Sequence, residues 1–356
     1  MIEGVDKTEI ASLAYSDPVF YCKTFLPHLF SKEIPWIHRG LMAILTRQSA
    51  FLLEYGECDK IRKNFVVRRD DETVFEIFNE DMSMNLGKYT VIMLPRGLSK
   101  TTIAGIAMPL RDILFQDISF GAYVSNAAPH AKMQLNNIKR ELTDNAAIRW
   151  VFGDVRPSIS DDEKWSEEMF ETLTGCAFTA RGRGGQIRGL NHKGQRPSKI
   201  ICDDLEDMES VATDLQREKT RQWAYGDLIP ALPELDPSAT ITVLGTMLHP
   251  DCLLETLAVD PSWTAVRMGA LDLDGDPLWE DNLSVEKLEA KKLSFTAAGE
   301  LHVFYMEYYN KSTSVETQAF SSPTSSMKSR RKGRSSARRS TSIRLSRRSS
   351  ARTGPS

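Results

Sequence analysis

A short segment, residues 96–102 (RGLSKTT), follows an apolar run and precedes a helix-like stretch. Backbone N–H groups at the start of a helix, together with the helix dipole, stabilise a bound phosphate. In such a loop a lysine reaches the terminal phosphates and a hydroxyl holds Mg²⁺, the roles that Lys100 and Thr101 fit. The strict G-x-x-x-x-G-K-[ST] pattern is not met, because Leu94 and Ser99 occupy its glycine positions. For this segment alone, an ordinary exposed Lys-Thr pair at a helix start is the alternative.

Two adjacent carboxylates, Asp203 and Asp204, end another apolar run, residues 198–202 (SKIIC). Ligands of open α/β sheets bind at the carboxyl ends of the strands. One carboxylate of such a pair can hold Mg²⁺, and its neighbour can orient or deprotonate an attacking water. A turn or helix cap is the alternative for the pair alone. Two such strand ends in this order predict a nucleotide site.

Two further segments offer charge or polar groups to that site. Residues 239–244 form an apolar run that ends in Gly245 and Thr246, and Thr246 or His249 is a candidate to sense the terminal phosphate, with an ordinary turn histidine as the alternative. The loop 181–196 holds five glycines and four arginines. It has three open interpretations: an arginine, preferably Arg188, that stabilises charge on the γ-phosphate, a contact to DNA phosphates, or a solvated loop.

Strands and helices alternate around these segments. Strands are predicted at 89–94, 119–124, 198–202 and 239–244, with helices after the first two, which indicates parallel βαβ units. The apolar face of the second helix is predicted to use Met133, Leu135, Ile138 and Leu142. Residues 170–180 are compatible with a hairpin, and residues 1–87 are predicted to be mainly helical, with one helix over 36–52.

Composition bounds the class of protein. The formal net charge of −3 over 356 residues divides into a body, residues 1–320, with 34 basic and 48 acidic residues, and a basic tail. No segment approaches the roughly 20 apolar residues of a membrane helix, and the acidic N-terminus does not resemble a secretory signal. The five cysteines are widely spaced, as expected of free thiols in a reducing compartment.

Taken in order, these segments resemble the ATPase domain of tailed-phage terminase large subunits, the motors that package viral DNA. The resemblance extends over about residues 15–320 and includes the sparse glycines of the phosphate loop. Its motifs are residues 95–102 (PRGLSKTT), 124–126 (VSN), 185–189 (GQIRG), 196–197 (RP), 203–204 (DD) and 245–250 (GTMLHP). Residues 35–39 (PWIHR) resemble the segment near the adenine, with an amphipathic core helix as the alternative.

The resemblance implies an α/β fold, a P-loop NTPase of the additional-strand (ASCE) type with a mainly parallel sheet flanked by helices. It implies hydrolysis of ATP with Mg²⁺, coupled to translocation of double-stranded DNA into a procapsid. The implied partners are a small terminase subunit, a portal protein and other copies of the chain in a ring of five, in the host bacterial cytoplasm with no membrane. Another P-loop DNA translocase, such as a helicase, and an inactive prophage remnant that binds nucleic acid through its tail are the alternatives.

The resemblance also carries roles to individual positions. ATP is contacted by the phosphate loop and the adenine-side segment, and catalysis and coupling fall to the other strand ends. By position, the ATP contacts are Gly97, Leu98, Ser99, Lys100, Thr101, Thr102, Trp36 and His38; the Mg²⁺ ligands are Thr101 and Asp203; the catalytic carboxylate is Asp204, with Glu206 as the fallback; the arginine-finger candidates are Arg96 and Arg188; and the coupling residues are Gly245, Thr246 and His249.

Four segments are expected along the chain: an N-terminal helical part (1–87), the ATPase core (88–259), a lid or linker (260–320) and a disordered Ser/Arg-rich tail (321–356). The tail holds 13 Ser and 9 Arg with no acidic residue. A two-metal nuclease needs clustered carboxylates, so no nuclease activity is expected. Translation out of frame is the preferred interpretation of the tail, with a DNA-binding arm and a phosphorylatable segment as alternatives.

Overall fold

A computed structural model of the chain describes residues 6–68, 74–157 and 165–311, which belong to one unit, Met1–Val315. The predicted tail, 321–356, lies outside the described residues. The strands, in chain order, are β1 (Val66–Arg68), β2 (Val74–Glu76), β3 (Tyr89–Met93), β4 (Phe120–Ser125), β5 (Met169–Glu171), β6 (Ala177–Gly182), β7 (Lys199–Asp203), β8 (Thr240–Gly245) and β9 (Trp263–Arg267).

Helices occupy both ends of the unit and the connections between strands. The α-helices are α1 (Lys7–Ser16), α2 (Pro18–Phe25), α3 (Trp36–Thr46), α4 (Cys58–Asn64), α5 (Met108–Leu114), α6 (Ala128–Asp144), α7 (Ala146–Phe152), α8 (Asp214–Trp223), α9 (Leu253–Val259), α10 (Glu280–Leu283), α11 (Val285–Ala297) and α12 (Leu301–Tyr309). Thr101–Ala107 forms a π-helix that leads directly into α5. Helices pack against the sheet, as α6 does on β4 and β6 and α9 does on β3 and β9.

Seven strands form one sheet in the order β5-β6-β4-β7-β8-β3-β9. All neighbours run parallel except β5, which pairs antiparallel with β6 as the predicted hairpin. Strand β8 lies between β3, which leads into the phosphate loop, and β7, which ends in the acidic pair. The additional-strand class takes its name from a strand inserted between the phosphate-loop strand and the acidic strand, as β8 is here. The predicted fold class is therefore confirmed.

The register of the sheet aligns the strand ends that carry the motifs. Met93 lies opposite Gly245 across β3 and β8, Leu244 lies opposite Asp203 across β8 and β7, and Ser125 also pairs with Asp203. The carboxyl ends of these four strands therefore meet along one edge of the sheet.

Three predictions about elements need correction. The helix predicted over 36–52 ends at Thr46, because Arg47 adopts a left-handed conformation (φ 58°) and Ala50–Tyr55 continues as a 3₁₀-helix. Met133 is 54% exposed, and Ala131 takes its place on the buried face of α6. Strand β9 lies in a segment for which no strand was predicted, and it belongs to the main sheet.

The strands of the sheet supply the centre of one large hydrophobic core. A second, small cluster lies under α10, α11 and α12 and contains Ala270, Leu283, Leu288, Phe304 and Tyr308. The five cysteines are free thiols. No helix within the described ranges has the length and hydropathy that a membrane span requires.

Candidate functional site

The aligned strand ends surround a cavity of about 580 Å³. Its lining includes the phosphate loop from Arg96 to Thr101, the acidic pair Asp203 and Asp204, and Thr246. Three segments that lie far apart in the sequence are thus brought together, as the positions of parallel strand ends predict.

The phosphate loop keeps its shape with one glycine. Gly97 (φ 86°) and Ser99 (φ 50°) are both left-handed, so Ser99 takes the conformation that glycine would provide in the strict motif. Side chains from two helices donate hydrogen bonds to the main-chain carbonyls of Gly97 and Leu98. His38 Nε2 of α3 donates to Leu98 O at 3.1 Å, and Asn282 Nδ2 of α10 donates to Gly97 O at 2.6 Å. Tertiary contacts thus support a loop conformation that a non-glycine residue adopts at a cost.

Lys100 is 8% exposed and its ammonium group donates to main-chain carbonyls of its own loop. The acceptors are Leu94 O at 2.8 Å and Pro95 O at 3.0 Å, and Thr246 Oγ1 lies at 3.4 Å. Burial lowers the pKa of Lys100, while the nearby carboxylates of Asp204 and Asp203 oppose that shift. The ammonium group is therefore poorly compensated, as expected of a group that binds an anionic ligand.

Asp203, the last residue of β7, is buried with its two carboxylate oxygens in different surroundings. Oδ2 accepts a hydrogen bond from the Tyr123 hydroxyl at 2.8 Å, and Oδ1 has no hydrogen-bond partner among the described residues. Burial, followed by the charge of Asp204, raises the pKa of Asp203, and the hydroxyls of Thr101 and Tyr123 oppose the rise. An orphaned, buried carboxylate oxygen near a hydroxyl is a donor set that fits Mg²⁺.

The described residues contain no group of three His, Cys, Asp or Glu side chains that could hold a metal ion. In P-loop enzymes, Mg²⁺ is held by one hydroxyl, one carboxylate and the nucleotide's own oxygens. Thr101 and Asp203 are the residues that fit these two places.

Asp204 lines the cavity in a left-handed conformation (φ 44°). Its N–H donates to Leu244 O at 3.0 Å, and its carbonyl accepts from Asn126 N at 3.2 Å. A non-glycine residue in this region costs of order 1 kcal/mol and tends to occur at functional sites. The bonds to both neighbouring strands thus hold Asp204 in a strained conformation at the cavity wall.

Glu206, the fallback carboxylate, is held differently. Both of its carboxylate oxygens accept the Leu253 N–H at the start of α9, at 3.0 and 2.8 Å. Burial raises the pKa of Glu206, and the N–H groups of Leu253 and Leu254 oppose the rise. Glu206 also lines the cavity, but its oxygens are engaged in fixing α9, so the geometry favours Asp204.

The arginine candidates lie in unlike places. Arg96 lines the cavity with a 72% exposed side chain and faces Glu307 of α12 at 3.4 Å. Arg188 is exposed on the loop after β6, outside the cavity lining. Sequence reasoning overlooked Arg183. Its main-chain N–H donates to Ser125 O at 2.7 Å, and its guanidinium Nη1 donates to Thr220 Oγ1 at 2.7 Å. Arg183 thus links the start of this loop to the edge of the site.

Of the three predicted coupling residues, Thr246 lines the cavity, and Gly245 precedes it at the end of β8. Thr246 contacts Lys100, and a Cβ at Gly245 would lie 2.8 Å from Leu254 Cδ1, so the glycine permits a close approach of α9. His249 lies outside the cavity lining. Its Nδ1 accepts from Asp251 N at 3.0 Å, and burial and the charge of Arg217 lower its pKa.

The adenine-side candidates are core residues of α3. Trp36 packs edge-on to Phe65 at 6.2 Å, and His38 packs edge-on to Trp279 at 4.8 Å. Burial lowers the pKa of His38 to about 4, so its ring is neutral at pH 7 and Nε2 carries the proton donated to Leu98. Neither ring lines the cavity, nor does Thr102. These positions favour the core-helix interpretation of residues 35–39 and give His38 a role behind the phosphate loop.

The strand order and the site define a P-loop ATPase fold of the additional-strand class. No protein-family model matches the chain, and no curated protein sequence matches it. Among solved structures, it is similar to the ATPase domain of a Thermus phage large terminase (13% identity, TM-score 0.39) and to a mutant of that domain (11%, 0.38), each over 63% of this chain and 88% of the other. A third similar structure, the Phi-28 gp11 DNA packaging motor, has 14% identity and a TM-score of 0.28, over 45% of this chain and 46% of the other. With TM-scores this low, these similarities carry no argument, and the fold assignment rests on the strand order.

Proposed function

We propose that this chain is the ATP-hydrolysing subunit of a motor that packages double-stranded DNA into a viral procapsid. The observation that carries the ATPase assignment is the meeting of Lys100, Asp203 and Asp204 in one cavity. The packaging role rests on the resemblance of residues 95–102, 185–189 and 245–250 to terminase large subunits.

Each residue has a definite part in hydrolysis. Lys100 exchanges the carbonyls of Leu94 and Pro95 for phosphate oxygens, and Thr101 and Asp203 are the residues that would hold Mg²⁺. When bound, Mg²⁺ neutralises charge that develops on the phosphates. Asp204 orients the attacking water and accepts its proton.

An arginine stabilises the remaining charge on the γ-phosphate. Arg188 is proposed to act on the site of a neighbouring copy in a ring, because it is exposed and lies outside the cavity of its own chain. Arg96 is the candidate within the chain. The ring, the portal and the small subunit remain proposals of the same kind.

Substitution of Asp204 tests the ATPase assignment. Purified protein with Mg²⁺ and ATP should turn over, and Asp204→Asn should reduce the rate by about 10²-fold or more while nucleotide binding persists. Glu206→Gln is the matched control. It should keep turnover, because the side chain of Glu206 holds the Leu253 N–H of α9 and does not act on the attacking water. Full turnover in Asp204→Asn would contradict the assignment, and nucleotide binding without turnover in the wild-type protein would favour the inactive remnant.

Duplex DNA tests the motor assignment. ATP turnover should rise when duplex DNA is added, and the rise should fall with salt because phosphate contacts release counterions. Unwinding of the duplex would instead favour a helicase.

The place of the arginine finger is tested by mixing two variants. Arg188→Ala and Lys100→Ala should each be inactive alone. If Arg188 acts on a neighbouring copy, mixing the two variants should restore part of the turnover, because some sites then combine an intact Lys100 with an intact Arg188. Turnover retained in Arg188→Ala alone would argue for Arg96, and no recovery in mixed rings would mean that Arg188 acts within its own chain.

A further inference from the structure

The side chain of Tyr123 is buried between neighbouring elements and reaches from β4 to Asp203 at the end of β7. It lies on β4 and is 1% exposed, and its hydroxyl donates to Asp203 Oδ2 at 2.8 Å. A phenol has an ordinary pKa of about 10 and is protonated at neutral pH, so the hydroxyl is the donor in this hydrogen bond.

Gly105, in the π-helix that starts at Thr101, makes room for this phenol. A Cβ at Gly105 would lie 3.0 Å from the Tyr123 hydroxyl oxygen and 3.0 Å from its ring carbon Cε2. Glycine within a helix costs about 1 kcal/mol relative to alanine, and Gly105 has no left-handed φ that would require it. The close approach of the phenol is the physical reason for a glycine here.

The hydrogen bond leaves the two oxygens of Asp203 unequal. The terminal torsion of an aspartate is broad, so a carboxylate with no fixed partner rotates. With Oδ2 held by Tyr123, Oδ1 is the oxygen that has no hydrogen-bond partner in the part of the chain that the structure describes. A buried anionic oxygen left in this way is costly unless a ligand compensates it.

We propose that Tyr123 is a positioning residue for the divalent metal site of Thr101 and Asp203, and that Gly105 is the space that lets it act. This inference rests on the proposed function, because it concerns the same site. Tyr123 orients the Asp203 carboxylate so that Oδ1 serves the metal ion, either directly or through its bound water. Partners that orient a metal ligand typically contribute about 10–100-fold to metal affinity.

The test is the Mn²⁺ affinity of Tyr123→Phe, measured from the electron paramagnetic resonance signal of free Mn²⁺ with the protein saturated by a non-hydrolysable ATP analogue. Phenylalanine keeps the ring and removes only the donor. Mn²⁺ binding should weaken by about 10-fold or more, and the Mg²⁺ concentration that half-saturates turnover should rise in parallel. Binding of the analogue in the presence of a chelator should not change.

Two further variants make the result specific. Tyr55→Phe removes a similar hydrogen bond, from Tyr55 to Asp17 at 2.7 Å, away from the cavity, and should leave Mn²⁺ affinity unchanged. Gly105→Ala displaces the phenol without removing its hydroxyl and should weaken Mn²⁺ binding in the same direction. If Tyr123→Phe does not fold, Gly105→Ala tests the inference alone.

Wild-type Mn²⁺ affinity in a folded Tyr123→Phe protein would overturn the positioning role and leave the proposed function intact. If the wild-type protein with bound analogue took up no Mn²⁺, the proposed function itself would be contradicted. The two failures are therefore distinguished by the wild-type measurement.

Discussion

The two ends of strand β7 carry buried charges that are compensated in different ways. At its amino end, the Lys199 ammonium group donates to the Asp112 carboxylate and to Leu45 O at 2.8 Å. At its carboxyl end, Asp203 keeps one oxygen without a hydrogen-bond partner among the residues within 6–68, 74–157 and 165–311, and the nearby Lys100 donates to main-chain carbonyls. Burial raises the pKa of Asp203 and lowers that of Lys100.

This difference separates a structural ion pair from a binding site. A buried charge is costly unless a partner and further hydrogen bonds compensate it. Lys199 has both within the fold, whereas Lys100 and Asp203 lack full compensation until a charged ligand arrives. In the proposed function, the phosphates of ATP and a divalent cation together supply the missing charges.

The largest effect is expected from Lys100→Ala, which should lower ATP turnover by about 10³-fold, comparable to the loss of a main charge-stabilising donor. Thermal stability should change little, because a poorly compensated buried charge is removed. Steady-state turnover and a thermal melt measure the two effects. Turnover near the wild-type rate would remove Lys100 from the phosphate site.

Lys199→Ala should show the opposite pattern. It leaves Asp112 buried without its main partner and should lower the free energy of unfolding by about 3 kcal/mol, the low end of such losses, since Arg111 lies 3.9 Å from Asp112. Turnover per folded molecule should be retained, because β7 separates Lys199 from the cavity by about 13 Å. Urea unfolding and an active-site-normalised rate measure these effects.

The matched control for that loss is the double variant Lys199→Met with Asp112→Leu. Replacing both charges leaves no uncompensated carboxylate, so most of the stability should return. A double variant as unstable as Lys199→Ala would show that the uncompensated Asp112 carboxylate is not the cause of the lost stability.

His38 provides a smaller, pH-dependent effect at the phosphate loop. Its folded-state pKa of about 4 is below the ordinary 6.5, so the unfolded chain binds more protons between these values and stability falls as the pH falls through this window. The loss from this residue is about 3 kcal/mol when the pH is below both values. His38→Gln can keep the donor to Leu98 and should remove this part of the pH dependence. Urea unfolding at about pH 7.5 and about pH 4.5 compares the two proteins, and an unchanged pH dependence would contradict the neutral buried ring.

The smallest effect is expected from Ser99→Gly. Glycine adopts the left-handed conformation without strain, so stability should change by no more than about 1 kcal/mol, with relief of strain opposed by the greater entropy of the unfolded chain. Turnover should persist, since the loop contributes its backbone. A loss of turnover would show that the Ser99 hydroxyl itself contacts the nucleotide.

Much of the site could be predicted because its residues follow local rules. Asp203 and Thr246 come at the ends of apolar runs, Lys100 follows such a run after the turn 95–99, and parallel strand ends meet at one edge of a sheet. Strand β9 was missed because its residues lack a clear periodicity and its neighbour β3 is far away in sequence. Met133 was wrongly predicted to lie on the buried face of its helix. It lines the cavity instead, and the sequence pattern does not distinguish these two positions of an apolar residue.

Asn282, Tyr123 and Arg183 could not be found from the sequence. Each acts through a hydrogen bond to a residue between 37 and 185 positions away, or about half the chain at the longest. No local pattern of residue types marks such a bond, because its geometry depends on how helices and strands pack. The roles of His38 and Glu206 were open for the same reason.

The sequence by itself determined the alternation of strands and helices and the residue types at their ends, because periodicity and turn chemistry act over a few neighbouring residues. Only the tertiary structure decided the strand order, the partners of the buried charges and which oxygen of Asp203 accepts the hydrogen bond from Tyr123. These depend on distances between segments far apart in the chain. Because the groups are buried, each hydrogen bond or charge pair that is made or missing there has a large effect on the free energy.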